Sequence, residues 1–158
     1  MQEQDLQEPF ESLDDLYREV ILDHYRNPRN SRPLSDADVK AEGQNPFCGD
    51  EIALQLKIED GRIARVGQQG RGCSISVASA SMMTEVIRGR TLEEARRLSR
   101  LFRSLMRGED LPPDALEELG DLEALSGVRR FPVRVKCALL GWMTLEDALD
   151  QAEARSRS

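Results

Sequence analysis

Cys48, Asp50, Cys73 and Cys137 are the residues of this chain whose types could do chemistry together. Three thiolates and a carboxylate supply four donors, the number a tetrahedral zinc ion takes. Cys48 and Asp50 flank Gly49, which leaves the backbone free to turn so that both side chains can reach one ion, while Pro46 stiffens the approach. The rest are spread out. Cys73 lies in Gly70-Arg71-Gly72-Cys73-Ser74 and Cys137 in Arg134-Val135-Lys136-Cys137, so folding must bring them together. A zinc ribbon would show close Cys-x-x-Cys pairs, which are missing here. The alternative for each cysteine is a small buried hydrophobe, and for Asp50 a turn or helix cap.

Local patterning says how these residues are held. Ile52, Leu54, Leu56 and Ile58 alternate with Ala53, Gln55, Lys57 and Glu59, the pattern of a strand with one buried face. Asp60-Gly61 signals a hairpin, and residues 62–66 return as a second strand. Cys48 and Asp50 then sit in the loop leading into the sheet, after a long polar connection from Arg26 to Gly43. Past Gly70-Arg71-Gly72 the period becomes helical, with Ile75, Ser79, Met82 and Val86 on one stripe. Cys73 falls at the start of that helix, where unpaired amides and the positive dipole end favour a thiolate. The small residues Ala78-Ser79-Ala80-Ser81 let the helix pack closely.

Thr91 and Glu94 form a capping-box signature for a helix carrying Leu92, Ala95, Leu98, Phe102 and Leu105. Leu111-Pro112-Pro113 breaks the chain, and Leu116, Leu119, Leu122 and Leu125 suggest a short helix interrupted at Gly120. Beyond Phe131-Pro132 a final helix has Val135, Leu139, Trp142 and Leu149 on its apolar side and Cys137 in its first turns. At the other end, Ser12 with Asp15 resembles a capping box. Leu13, Leu16, Tyr17, Val20, Ile21 and His24 then recur at helical spacing until Asn27-Pro28. His24, the only histidine, lies within that apolar stripe and reads as a packed, hydrogen-bonded residue outside the site.

At 158 residues and 39% hydrophobic, the chain fits one domain with a modest core. No apolar run approaches membrane-spanning length, and the acidic start Met1-Gln2-Glu3-Gln4-Asp5 is unlike a signal peptide, so a cytosolic location is expected, with no membrane partner. In a reducing compartment three cysteines read as metal ligands or reactive thiols rather than disulfides. A net charge of −7 argues against nucleic acid as the main partner. The charge is uneven: residues 61–107 carry 10 bases against 3 acids. Arg96, Arg97, Arg100, Arg103 and Arg107 are expected to form the solvated side of one amphipathic helix, with a basic partner face as the alternative.

Several motifs together carry a family resemblance. Asn45-Pro46-Phe47-Cys48-Gly49-Asp50, Gly72-Cys73-Ser74-Ile75-Ser76 and Lys136-Cys137-Ala138-Leu139-Leu140 resemble the signatures of the U-type (IscU, SufU and NifU N-terminal) iron-sulfur cluster assembly family. Residues 16–30, ending in Asn27-Pro28-Arg29-Asn30, resemble its amino-terminal helix. The resemblance runs from about Leu13 to Leu149. It implies an α+β fold, a small antiparallel sheet of about three strands packed against a layer of helices, with the metal site at one end of the domain. The expected organisation is a flexible terminus over residues 1–11, one domain over 12–152 with an inserted helical segment at about 91–130, and a flexible terminus over 153–158.

Two branches of that family differ here. IscU-type scaffolds carry a histidine immediately before the third cysteine and a Leu-Pro-Pro-Val-Lys segment upstream, whereas this chain has Lys136 and Phe131-Pro132-Val133-Arg134-Val135-Lys136. Leu111-Pro112-Pro113 lies too far upstream to serve as that segment. The long stretch before Cys137 is similar to the insertion of the SufU branch, whose members are zinc-dependent sulfurtransferases. The resemblance therefore implies zinc on Cys48, Asp50, Cys73 and Cys137, and persulfide accepted from a SufS-type cysteine desulfurase, with a SufBCD-type complex as a further partner. By the same resemblance, Cys48 is the ligand that leaves the metal for a partner side chain and takes the sulfur. The alternative is a scaffold holding iron or a [2Fe-2S] cluster on the same cysteines. Lys136 argues against it, because a protonated amine cannot replace an imidazole ligand. A zinc-stabilised interaction module without chemistry is the third reading. Arg134, one turn before Cys137, reads as a surface arginine, with orienting the site or steering the partner as the alternative.

Overall fold

The computed structural model describes residues 15–46 and 48–157. Helix α1 spans Asp15–Arg26 and is followed by strands β1 (Val39–Asn45), β2 (Asp50–Glu59) and β3 (Arg62–Arg71). Helices α2 (Ser74–Ile87), α3 (Leu92–Met106) and α4 (Pro113–Leu119) come next, then a 3-10 segment (Gly120–Arg130) and the long helix α5 (Pro132–Arg157). The Ser12 capping signature, Leu13 and the terminus over 1–11 lie outside the described residues. Helix α5 continues past residue 152, where the sequence reading ends the domain.

The strands form an antiparallel sheet in the order β1-β2-β3. Buried Ile52, Leu54 and Leu56 line the covered face of β2, as the alternation predicts. Ile58 is only half-buried, because the register shifts between Lys57 and Ile58 and breaks the two-residue period there. Asp60 and Gly61 have φ of 53° and 73°, the left-handed pair that a two-residue hairpin requires. Strand β1 occupies the end of what reads in sequence as a polar connection. Its apolar content is only Val39 and Ala41, both buried, so pairing with β2 rather than intrinsic propensity makes it a strand.

Helix α5 packs on β1 and β2, α2 on β3, and α1 on α2. A Cβ on Gly141 would lie 3.4 Å from the Cα and Cβ of Ala80, so α2 and α5 meet through residues with almost no side chain. Ser79 Oγ donates to the Ala138 carbonyl at 2.6 Å across the same contact. This close approach brings the helix starts that carry Cys73 and Cys137 to one end of the sheet. Phe102 stacks on Trp142 with ring centroids 5.4 Å apart, which seats α3 against α5. Leu16, expected on the inner stripe of α1, is 70% exposed.

Arg97, Arg100 and Arg107 are exposed, as expected of a solvated face, but three arginines of α3 also make ion pairs within the fold. Arg96 bonds Asp150 at 2.5 Å and Glu153 at 2.8 Å, Arg103 bonds Glu146, and Arg97 bonds Glu118 at 2.6 Å. Acids of α5 and α4 thus offset the charges of Arg96, Arg97 and Arg103. The Thr91 cap forms as predicted: Thr91 Oγ1 accepts the Glu94 N–H at 3.1 Å, and Glu94 Oε1 accepts the Thr91 N–H at 2.9 Å. Thr91→Ala is expected to cost ~1 kcal/mol in urea denaturation, because it leaves the Glu94 amide without its cap.

Candidate metal centre

The β1–β2 hairpin builds the first half of the site. Asn45 pairs with Asp50 in the sheet, and both the Cys48 and Gly49 amides donate to the Asn45 carbonyl, at 3.3 and 2.9 Å. Gly49 has φ of 70°, which lets the chain reverse within the turn. Cys48 is consequently held on the turn, half-buried, while Asp50 is fully buried as the first residue of β2. Asp50 Oδ1 accepts the Cys73 backbone N–H at 2.8 Å, so its capping role and its place beside the thiols coexist. Oδ2 lies 3.9 Å from Cys73 Sγ.

The helices supply the second half. Cys73 is the N-cap residue of α2, and its sulfur accepts the Ser76 N–H at 3.5 Å. Cys137, one and a half turns into α5, is fully buried; its Sγ lies 3.3 Å from Cys48 Sγ and 3.8 Å from Asn45 Nδ2. Cys48, Asp50 and Cys137 each have a ligand atom within 4.8 Å of the other two. Cys73 borders this trio through Asp50 and Cys137. All four residues singled out in the sequence are therefore neighbours, though contributed by three separate stretches of chain.

Their electrostatics are unequal. A hydrogen bond from Cys137, assisted by the Ser76 amide and opposed by burial, brings the Cys73 thiol down to about 7. The same bond to Cys73, together with burial, raises Cys137 well above an ordinary thiol. Of the two thiols, Cys73 is the one that ionises first. Arg134, half-buried, stands beside both: burial opposes its charge, but the neighbouring sulfurs outweigh that and raise its pKa. It is a site-lining cation rather than a surface residue. Its spacing one turn before Cys137 was the available signal.

Zinc–sulfur bonds of about 2.3 Å in a tetrahedron put sulfurs roughly 3.8 Å apart. The S···S and S···O separations of 3.3 and 3.9 Å are close to that spacing before any ion draws the donors together. A fully buried carboxylate among three thiols also needs a counter-charge, and half-buried Arg134 is a single cation. The donor set fits a divalent ion. His24 stands apart, 1% exposed and bonded to Ser81 and Asp121, as its place in the apolar stripe predicts.

The sequence model described as NifU-like N terminal domain matches residues 16–138, a span that contains all four donors. The chain belongs to this NifU-like family. Among similar proteins is the zinc-dependent sulfurtransferase SufU of Bacillus subtilis, 46% identical over 90% of this chain and 95% of that one. The iron-sulfur cluster assembly scaffold protein IscU of Streptococcus pyogenes is 38% identical over 89% of this chain and 86% of its own. A crystal structure described as a putative iron-sulfur cluster assembly scaffold protein for the SUF system, from Fervidobacterium islandicum, superposes with a TM-score of 0.77. It is 35% identical, covering 83% of this chain and 94% of that one. The NifU-like domain here has the expected α+β architecture, with its cysteines gathered at one end of the sheet.

Proposed function

We propose that this NifU-like chain is a zinc-dependent sulfurtransferase of iron-sulfur cluster assembly that accepts persulfide sulfur on Cys48. The observation that carries this reading is the unequal burial of the thiols: Cys48 is half-exposed on a turn, whereas Cys73 and Cys137 are buried. Likeness to the Bacillus sulfurtransferase supports it. Cys48, Asp50, Cys73 and Cys137 would hold the ion. When bound, zinc keeps thiols as thiolates without redox chemistry of its own.

Cys48, the half-exposed member of the donor set, would be freed as the partner docks, and its thiolate would attack the outer sulfur of a cysteine persulfide on a SufS-type desulfurase. The new S–S bond forms on Cys48 as the partner's S–S bond breaks, and the electron pair leaves on the partner's cysteine sulfur. Asp50, Cys73 and Cys137 stay in place, with Arg134 offsetting their charge. Lys136, exposed beside the site, supplies no ligand that would replace the scaffold's histidine. A SufBCD-type complex is the proposed recipient of the sulfur. Among the described residues no helix is long and apolar enough to cross a membrane, and we place the reaction in the cytosol.

Purified protein is expected to carry one equivalent of zinc and to stimulate the desulfurase in a chelator-sensitive way. Zinc uptake should weaken as pH falls. Above about 7 only the Cys137 proton of the buried pair must be displaced, whereas below it Cys73 is protonated as well, so the loss steepens. A brown protein with labile sulfide and no stimulation would favour the scaffold reading instead.

A further inference from the structure

The chain's single histidine marks a second convergence of ligand-type side chains, sharing no residue with the thiol cluster. His24 on α1 is 1% exposed, and its Nε2 lies 2.9 Å from Asp121 Oδ2 in the 3-10 segment and 3.8 Å from Glu85 Oε1 on α2. One ligand atom from each residue is within 4.8 Å of the other two. On the far side of the ring, Nδ1 is 2.7 Å from Ser81 Oγ, which also accepts the Arg29 backbone N–H at 2.8 Å.

The serine hydroxyl can donate or accept, so the imidazole can carry its proton on either nitrogen. With the proton on Nε2, His24 donates to Asp121, and Ser81 donates to Nδ1. With the proton on Nδ1, the ring donates to Ser81, and Nε2 aims a lone pair at two carboxylates. That second arrangement is the one a metal-ligating histidine adopts, its other nitrogen fixed by a hydrogen bond.

We propose that His24, Glu85 and Asp121 form a second divalent-cation site, for an ion of the zinc class. Zinc bonds of about 2.0–2.2 Å to nitrogen and oxygen set neighbouring donors roughly 3.3 Å apart, between the two separations seen here. A neutral imidazole and two carboxylates match the charge of a dication. The competing cation, Arg29, pairs more closely with Asp23, through Nη2 at 2.6 Å, than with Glu85, which its Nε reaches at 3.9 Å. Glu85 and Asp121 are half-exposed, which gives an ion a way in from solvent and leaves both carboxylates room to close on it. An imidazole with two carboxylates suits zinc and neighbouring divalent ions, and offers nothing to a soft ion such as Cu(I) that requires sulfur donors. The ion would tie α1, α2 and the 3-10 segment at one point.

The test uses tag-free full-length protein already saturated at its tightest site, titrated with further zinc. Metal binding is counted, and the one imidazole is followed by its nitrogen NMR signals. The His24 Nε2 signal is expected to shift and to saturate with one additional equivalent. Glu85→Gln and Asp121→Asn, both exposed side chains, should each weaken that equivalent about tenfold or more and leave the tighter one unchanged. An imidazole signal unmoved by excess zinc, or additional binding equal in both variants and the parent, would overturn the site.

Discussion

Cys48→Ser protein is expected to accept persulfide sulfur at least about a hundredfold more slowly than the parent, and to fold normally. A serine hydroxyl stays protonated at neutral pH and cannot replace a thiolate as the attacking group. The fold should survive because Cys48 sits half-exposed on a turn closed by backbone bonds to Asn45, which serine would keep. Cys73→Ser and Cys137→Ser remove buried sulfurs and should disturb metal retention and stability together. Labelled-sulfur transfer from a desulfurase reads the first effect, and thermal melting the second. Transfer by Cys48→Ser at the parent rate would sink the role assigned to Cys48.

Gly72→Ala is expected to destabilise the fold by ~3 kcal/mol and to loosen metal retention, because the added carbon runs into the carboxylate of Asp50, one of the proposed ligands. Gly72 has φ of 137°, a region nearly closed to other residues, and a Cβ there would lie 2.8 Å from Asp50 Cα and 2.9 Å from its Cγ. The clash falls on a fully buried carboxylate whose position is set by the Cys73 amide. Gly49→Ala is the control. It has φ of 70° but nothing within 4 Å of the added carbon, so only backbone strain of ~1 kcal/mol is expected. Equal losses for the two variants in chemical denaturation would show that the contact with Asp50 is unimportant.

What could be read in the sequence was whatever short-range chemistry determines. The Asp60-Gly61 hairpin, the Thr91–Glu94 box and the helix start at Cys73 depend on neighbours a few residues away, and each is present. The motif match extended this to the family and to the gathering of Cys48, Asp50, Cys73 and Cys137. Strand β1 escaped because its sequence carries little strand signal and depends on β2 and α5 for burial. Spacing alone does not choose between a surface and a site-lining Arg134, because its contact with Cys73 follows from how α5 crosses α2. Arg96 and Arg103 of α3 likewise pair with acids more than forty residues away, at Glu146, Asp150 and Glu153.

Cys48 and Asp50 stand two residues apart on one hairpin, whereas Asp50 and Cys73 are 23 residues apart, with Cys137 farther still. An ion on all four would act as a cross-link, and what a cross-link contributes depends on the loops it closes. Every long loop closed through Cys48 is also closed through Asp50. Departure of Cys48 therefore removes one bond and no topological constraint, so the denatured chain stays as restricted as before. The thiol proposed to leave the metal is the one the chain's entropy does not need.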